Sequence, residues 1–280
     1  MQHALSPSLV IEAPPAQELD ARFAVLRAIR RTPDLWSRYV IKGGLALQHA
    51  YGSPRRSHDL DISAIEPRAP ELSEANEVRL VRFCHQLNAA MELAAENGFV
   101  RMVVQRRRLS DEIPALLAQI GYSTDPDAAP PFDDKIELQV TLSEVVCETT
   151  QSSAHETPMR VPTLEDVLAE KLKALAQQSV RPSAAGRASD VYDVWYFTTD
   201  SPRQIDRDKV AVFLKEKVTR WPAMLPIVRS AFDHPFVRER AHEGFDALRE
   251  SIAPDASFPC FEEAFAGVRA FVASIALPEG

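Results

Sequence analysis

Two neighbouring stretches of this 280-residue chain, IKGGLAL at residues 41–47 and RSHDLDI at residues 56–62, carry most of the information about its architecture. In the first, a short apolar run leads into a double glycine, after which helix-compatible residues follow. Glycines at a strand-to-helix junction leave bare backbone N–H groups at the start of the helix, where phosphate binds readily. The stretch therefore predicts a phosphate-binding loop of Lys42, Gly43 and Gly44, with a tight turn lacking any ligand as the alternative.

The second stretch carries two aspartates, Asp59 and Asp61, on a run that alternates polar and apolar residues as a strand does. Because they are two positions apart, both carboxylates point to the same face and repel each other unless a cation binds between them. Hard carboxylate oxygens favour Mg²⁺ or Mn²⁺. Ser57 precedes them on the same side, where its hydroxyl could hold a phosphate oxygen. We expect a metal site beside the glycine loop; an exposed acidic turn is the alternative.

A third carboxylate is predicted from a later strand, residues 135–142. Its apolar residues alternate and share one face, whereas Glu137 lies on the other, polar face. Glu137 could therefore join Asp59 and Asp61 as a metal ligand. The alternative is a solvated strand face, which alternation alone does not distinguish from a functional one.

A lysine lies inside an apolar stripe on the predicted helix 164–178. Lys171 falls three residues after Leu168 and four before Leu175, so it shares their face. Burial of an unpaired ammonium group is too costly to persist, and Lys171 therefore needs an anion or a route to solvent. Asp190, on the apolar side of the next helix, could form an ion pair with it. In the functional interpretation, Lys171 instead binds a triphosphate and Asp190 orients or accepts a proton.

The overall charge argues against a general nucleic-acid-binding surface, because 40 Asp and Glu outnumber 32 Lys and Arg for a net charge of −8. The main basic concentration is the run 106–108, three consecutive arginines, with Arg101 and Lys135 nearby. Such a run is usually a solvated face. If it borders the site, it could supply the phosphate contacts for an RNA end that the acidic protein otherwise lacks.

The remaining pattern divides the chain into two parts. The first part contains predicted helices at 17–31 and 73–97, predicted strands at 99–105 and 135–142, and an exposed loop or hairpin insert at 122–134. The second part contains only predicted helices, at 164–178, 188–198, 206–219, 235–250 and 260–275. We therefore expect an α+β protein with a mixed sheet lobe over residues 1–160 and a helical lobe over residues 161–280.

Four ordered blocks, at residues 41–47, 56–61, 168–175 and 187–194, resemble the AbiEii/AbiGii nucleotidyltransferase toxins in order and spacing. The resemblance implies a nucleotidyltransferase fold of the DNA polymerase β type, completed by a helical C-terminal lobe. It also implies NTP as substrate, Mg²⁺ (or Mn²⁺) as cofactor, and the toxin role in a type IV toxin–antitoxin or phage-defence pair with a cognate antitoxin.

Residue by residue, the resemblance assigns Asp59 and Asp61 to the metal-binding pair, and Gly43, Gly44 and Ser57 to the phosphate loop. In the predicted chemistry, a nucleotidyl group moves from the NTP to an RNA acceptor.

The two later blocks match the family's later catalytic motifs through Lys171 and Asp190. Some relatives add nucleotides to tRNA 3′ ends, so a tRNA acceptor end is the expected substrate. Transfer to a protein or small-molecule hydroxyl, or an inactive nucleotide-binding or interaction module, are the alternatives.

No apolar run approaches the roughly 18 residues that a membrane helix needs, and the N-terminus lacks a basic start followed by an apolar stretch. We therefore expect a cytoplasmic protein without membrane contact.

Overall fold

The computed structural model describes residues 16–65, 74–95, 101–109, 115–125, 127–154, 157–180, 186–201 and 203–279. Its strands are β1 (Tyr39–Lys42), β2 (Leu60–Ala64), β3 (Arg101–Leu109), β4 (Ala115–Ser123), β5 (Asp134–Thr141), β6 (Thr149–Ala154) and β7 (Thr157–Pro162). Its α-helices are α1 (Ala16–Arg31), α2 (Pro33–Arg38), α3 (Gly43–Tyr51), α4 (Glu74–Ala95), α5 (Leu164–Gln177), α6 (Ala188–Trp195), α7 (Arg207–Val218), α8 (Pro235–His242) and α9 (Phe261–Ser274).

Five strands form a mixed sheet in the order β1-β2-β5-β4-β3. The pair β2–β5 is parallel, whereas β1–β2, β4–β5 and β3–β4 are antiparallel. The strands β6 and β7 form a separate antiparallel hairpin that leads into α5. This order places β2, which begins directly after the RSHD segment, in the interior of the sheet between β1 and β5.

Helices α1 and α4 cover one face of the sheet. Ile62 and Leu138 point to this face and are buried together with Phe23 of α1 and Leu87 of α4. Because side chains alternate along a strand, Asp61 points to the opposite face. We call this second side the polar face of the sheet.

Helix α3 connects the sheet to the helical half of the molecule. Its Leu45 and Ala46 are buried in the core beneath the sheet, whereas Leu47 is buried in a second core. Helices α5 to α9 build this second core, in which Leu172 and Tyr192 are fully buried. The loop that carries the double glycine is thus held between two cores.

The predicted α+β class with a mixed sheet is confirmed, and so are the predicted helices at 17–31, 164–178, 206–219 and 260–275, within two residues at their ends. The predicted helix 73–97 and strand 99–105 are present as α4 and β3. Residues 96–100, where that helix was to end and that strand to begin, lie outside the described residues.

The structure differs from the prediction in several elements. Helix α2 and the hairpin strands β6 and β7 were not predicted. Strand β4 was not predicted, and the predicted loop at 122–134 therefore begins inside it. The predicted helix 188–198 ends as α6 at Trp195 and continues as a π-helical turn, Tyr196–Asp200. The predicted helix 235–250 is divided, because Gly244 adopts a left-handed φ of 75° that ends α8.

Within the described residues, no helix is both long and apolar enough to cross a lipid bilayer.

Candidate active site

A cavity of about 510 Å³ lies between the polar face of the sheet and helices α5 and α6. It brings together six of the predicted site residues: Lys42, Gly43, Asp59, Asp61, Lys171 and Asp190. Strand β2 supplies Asp61, and Asp59 directly precedes this strand. The β1–α3 junction supplies the loop, and the two helices supply the lysine and its acidic neighbour.

The double glycine allows the loop to approach the aspartate strand closely. Gly43 has a left-handed φ of 67°, and a Cβ atom there would overlap the carboxylate of Asp61. A Cβ atom on Gly44 would lie 2.6 Å from the Oγ of Ser57. Both positions therefore require glycine. Gly44 and Ser57 form the packed layer behind the loop and do not line the cavity.

The segment that carries Ser57 is anchored on two helices. The buried guanidinium group of Arg22 on α1 donates a hydrogen bond to the Ser57 carbonyl. The backbone N–H of Ser57 donates to Oε1 of Gln48 on α3 at 3.3 Å. These contacts fix the main chain two residues before Asp59.

Asp61 lies in an environment that disfavours its negative charge. Burial raises the pKa of Asp61; Lys42 opposes the rise without cancelling it, and Asp59 adds to it. A bound cation would reverse this effect by stabilising the charged carboxylate.

The residues present fit a magnesium ion. Mg²⁺ is usually held by one or two carboxylates, with the remaining ligands supplied by water and substrate phosphates. Asp59 and Asp61 provide two such oxygen donors on one side of the cavity. Among the residues that the structure describes, no group of three or more His, Cys, Asp or Glu side chains is arranged as a metal site. The pair therefore suits an ion that binds together with the nucleotide.

Lys171 is paired inside the apolar stripe of α5. Its Nζ lies 2.9 Å from Oδ1 of Asp190 and 2.7 Å from Oδ2 of Asp193, both on α6. Burial alone would lower the pKa of Lys171, but the two carboxylates outweigh it and the pKa is raised. The ammonium group therefore stays charged beside the cavity.

Asp193 connects Lys171 to the segment before Ser57. Its side chain is fully buried, and its two oxygens accept hydrogen bonds from Nε and Nη2 of Arg55 at 2.9 and 2.7 Å. Burial alone would raise the pKa of Asp193, but Arg55 and Lys171 outweigh it and the pKa is lowered. Arg55 was not among the predicted site residues, because nothing in a short Ser-Pro-Arg-Arg segment indicates which acid it will meet.

Glu144 is a buried carboxylate of the cavity that the sequence analysis missed. It forms an ion pair with Lys42 and accepts hydrogen bonds from the hydroxyls of Ser63 and Thr141. Burial alone would raise the pKa of Glu144, but Lys42 and Lys173 outweigh it and the pKa is lowered. Its position three residues after the end of β5 was visible in the sequence, but the pairing of β5 with β2 was not.

A further charged cluster closes the cavity on the side of α7. Nζ of Lys217 lies 2.8 Å from Asp166 and 3.4 Å from Glu170, and it also donates to the carbonyl of Val145. The pKa of Lys217 is raised, because these acids outweigh the opposing effect of burial. This cluster fixes α5 against α7.

Glu137 lies apart from the aspartate pair. It occupies the polar face, as predicted, but its carboxylate accepts a hydrogen bond from Gln119 and it lines a different surface groove. Gln139, two residues further along β5, is the partner of Asp61 across the sheet. The role of Glu137 as a third metal ligand stays a prediction, and this arrangement does not favour it.

A family model described as the nucleotidyl transferase AbiEii toxin of type IV toxin–antitoxin systems matches residues 25–267. The chain belongs to the AbiEii toxin family. The resemblance predicted from the four sequence blocks is therefore confirmed, and this AbiEii protein is a nucleotidyltransferase. Membership implies an NTP substrate and an antitoxin partner. No curated protein matches the chain.

Two solved structures resemble this AbiEii protein along nearly its whole length. JHP933 from Helicobacter pylori has a TM-score of 0.50 and 12% identity, covering 94% of this chain and 93% of its own. The nucleotidyltransferase toxin MenT4 from Mycobacterium tuberculosis has a TM-score of 0.49 and 18% identity, covering 94% and 99%. At 12% identity, the similarity to JHP933 shows a shared fold and nothing more.

Proposed function

We propose that this AbiEii protein transfers a nucleotidyl group from an NTP to the 3′ end of a tRNA, and that this transfer is its toxic activity. One observation carries the proposal: a single cavity unites the Gly43 loop, the Asp59–Asp61 pair and Lys171. A loop for phosphate, carboxylates for a hard cation and a charged lysine are the groups that a metal-chelated triphosphate requires.

In this proposal, residues 161–280 form a helical domain that completes the site of a nucleotidyltransferase domain at residues 1–160. The triphosphate lies against the N-terminus of α3, beside Lys42 and Gly43. Lys171 binds its β- and γ-phosphates, because the carboxylates behind the ammonium group keep it charged and fix its position. Asp190 thus acts by orienting Lys171.

Asp59 and Asp61 hold Mg²⁺ or Mn²⁺, which when bound supplies Lewis acidity for the attacking hydroxyl and for the leaving pyrophosphate. The 3′ hydroxyl of the RNA gives up its proton to water and its oxygen forms a bond to the α-phosphorus, while the bond from that phosphorus to the oxygen bridging to the β-phosphate breaks and pyrophosphate leaves in line. The protein contributes mainly by orienting these groups and by electrostatic preorganisation.

Incubation of the purified protein with each labelled NTP and with total RNA tests the proposal. We expect label on tRNA from at least one NTP, and we expect its loss with Asp61→Ala. The matched control is Asp246→Ala, which removes an exposed aspartate that does not line the cavity. This control should retain the activity.

Two other results would contradict the proposal that RNA accepts the nucleotidyl group. Label on the protein itself or on an added protein would indicate transfer to a protein hydroxyl. Absence of label on any acceptor, with a folded protein and all four NTPs, would indicate that this chain has lost the transferase activity of its family.

A further inference from the structure

A row of paired residues links the aspartate strand to the basic run on β3. Asp61 pairs with Gln139 on β5, Gln139 with Leu117 on β4, and Leu117 with Arg108 on β3. Residues that pair directly across strands point to the same face. Arg108 therefore lies on the polar face, three strands from Asp61 and about 14 Å away at the usual strand spacing.

The neighbouring row places a second arginine on the same face. Arg106 pairs with Gln119, which in turn pairs with Glu137. Arg107 lies between these rows, pairs with Ala118, and interacts with the thiol of Cys84 on α4, at the face that the helices cover. The run of three arginines is therefore divided between the two faces of the sheet.

A β-bulge determines this division. The register of β3 against β4 shifts between Val104 and Arg106, which leaves Gln105 as the extra residue. The side-chain amide of Gln105 donates to the carbonyl of Phe132 at 2.8 Å and accepts from its N–H at 3.0 Å, which fixes the bulge. Without the bulge, strict alternation would place only Arg107 on the polar face. With it, two arginines lie there.

The polar face around these arginines has a basic character that the whole chain lacks. Arg106, Arg107 and Arg108 are exposed and line a groove of about 570 Å³. Of these, Arg106 and Arg108 lie on the same face of the sheet as Asp61. Lys135, also exposed, lies on this face one row further along. Glu137 is the acid in the groove, and its carboxylate already accepts a hydrogen bond from Gln119.

We propose that Arg106 and Arg108, supported by Lys135, bind the phosphate backbone of the RNA acceptor a few nucleotides before its 3′ end. We call this surface the β3 strip. The inference rests on the proposed function, because it needs the 3′ end at Asp59 and Asp61. Contacts to phosphate set the register of a nucleic acid without reading its sequence, and a basic groove leading to the site performs this task.

Equilibrium binding of tRNA to the full-length protein as a function of salt tests the β3 strip. For single-stranded nucleic acid, each phosphate contact contributes about 0.7 to the slope of log K against log salt concentration. We expect Arg106→Gln and Arg108→Gln each to reduce that slope by about 0.7, and the double variant to reduce it by about 1.4. Arg107→Gln removes the same charge from the same groove, but from a side chain on the face that the helices cover, and should therefore reduce the slope by less.

Kinetics separate docking from chemistry. In the double variant the KM for tRNA should rise, while the KM for NTP stays the same. The rate on a trinucleotide with the sequence of the tRNA 3′ end should also stay the same, because so short an acceptor does not reach the strip. Arg106→Lys with Arg108→Lys restores the charge and should recover most of the slope, which a folding defect would not allow.

The outcomes distinguish this inference from the proposed function. If the wild-type protein labels tRNA but all three single glutamine variants have the same salt slope, the β3 strip is wrong and the proposed function stands. If the wild-type protein labels no RNA, the proposed function is wrong, and the binding slopes still decide whether RNA contacts the strip. A wild-type protein that does not bind tRNA overturns both.

Discussion

Two pairs of aspartates lie at the cavity in opposite surroundings. Asp190 and Asp193 contact Lys171, and the pKa of Asp193 is lowered, because its cationic partners outweigh the effect of burial. Within the described part of the chain, Asp59 and Asp61 form no ion pair, and burial raises the pKa of Asp61. An aspartate with cationic partners, such as Asp193, thus stabilises the folded protein, whereas Asp61 has a buried charge that a bound cation would stabilise.

The largest effect is expected from Asp61→Asn. It removes a charge that the site needs for the reaction, so the transfer rate should fall about a thousandfold or more, as expected for several kcal/mol of lost charge stabilisation. The free energy of unfolding should be unchanged or higher, because a buried carboxylate without an ion-pair partner is replaced by a neutral group of the same shape. Initial rates and urea denaturation measure the two quantities.

Retention of a tenth or more of the wild-type activity would exclude Asp61 from the reaction. A large loss of stability would show that the pair has a structural role and that its contrast with Asp193 is wrong.

Asp193→Asn should have the reverse profile. It leaves Arg55 and Lys171 buried without their shared anion, and breaking a buried ion pair in this way costs about 3–5 kcal/mol. The free energy of unfolding from urea denaturation should fall by that amount. A loss below about 1 kcal/mol would contradict the role of this carboxylate in joining the two segments.

The free energy of unfolding measured as a function of pH, from neutral to acid, tests whether the charge of Asp193 causes this loss of stability. A carboxyl group whose pKa is lowered on folding stabilises the protein fully above its unfolded pKa, about 3.9, and this stabilisation is lost as the pH falls through the lower folded value. The difference between wild type and Asp193→Asn should therefore be constant at neutral pH and shrink in acid. A difference that does not shrink would assign the defect to packing.

Mg²⁺ should stabilise the wild-type protein through the unpaired aspartates. At one hundred times its dissociation constant, a ligand that binds only the folded state adds about 2.7 kcal/mol. Because the nucleotide supplies further ligands to the ion, the increase in unfolding temperature caused by Mg²⁺ should be larger with NTP present. Thermal unfolding with and without Mg²⁺ measures the effect, and Asp61→Asn should abolish it. Equal shifts in both proteins would place the ion elsewhere.

Structural features that depend only on the local sequence pattern were predictable from the sequence. The amphipathic period of α5 shows that Lys171 is buried and needs an anion, and the two-residue spacing shows that Asp59 and Asp61 share a face. Strand β4 was missed, because Ala115, Leu117 and Gly121 on its polar face interrupt the alternation with the buried positions on its other face.

The positions of residues that reach the site through the order and pairing of the strands were not predictable. Glu144 enters the cavity because β5 pairs with β2, and the sequence does not specify this partner. Alternation placed Glu137 on the correct face, but it gives no position along the strand relative to Asp61. The β3 strip depends on a bulge at Gln105, and no residue pattern in the arginine run indicates one.

The smallest effect, from Asp233→Asn, isolates the contribution of burial. Asp233 pairs with Arg269 at 2.8 Å, and both side chains are more than half exposed. The substitution and the partner residue type are the same as for Asp193 and Arg55, but an exposed ion pair contributes only about 0–1 kcal/mol. Urea denaturation should therefore give a change within this range. If Asp233→Asn cost as much as Asp193→Asn, burial would not be what separates the stabilising aspartates from the rest, and the contrast between the two pairs at the cavity would lose its physical basis.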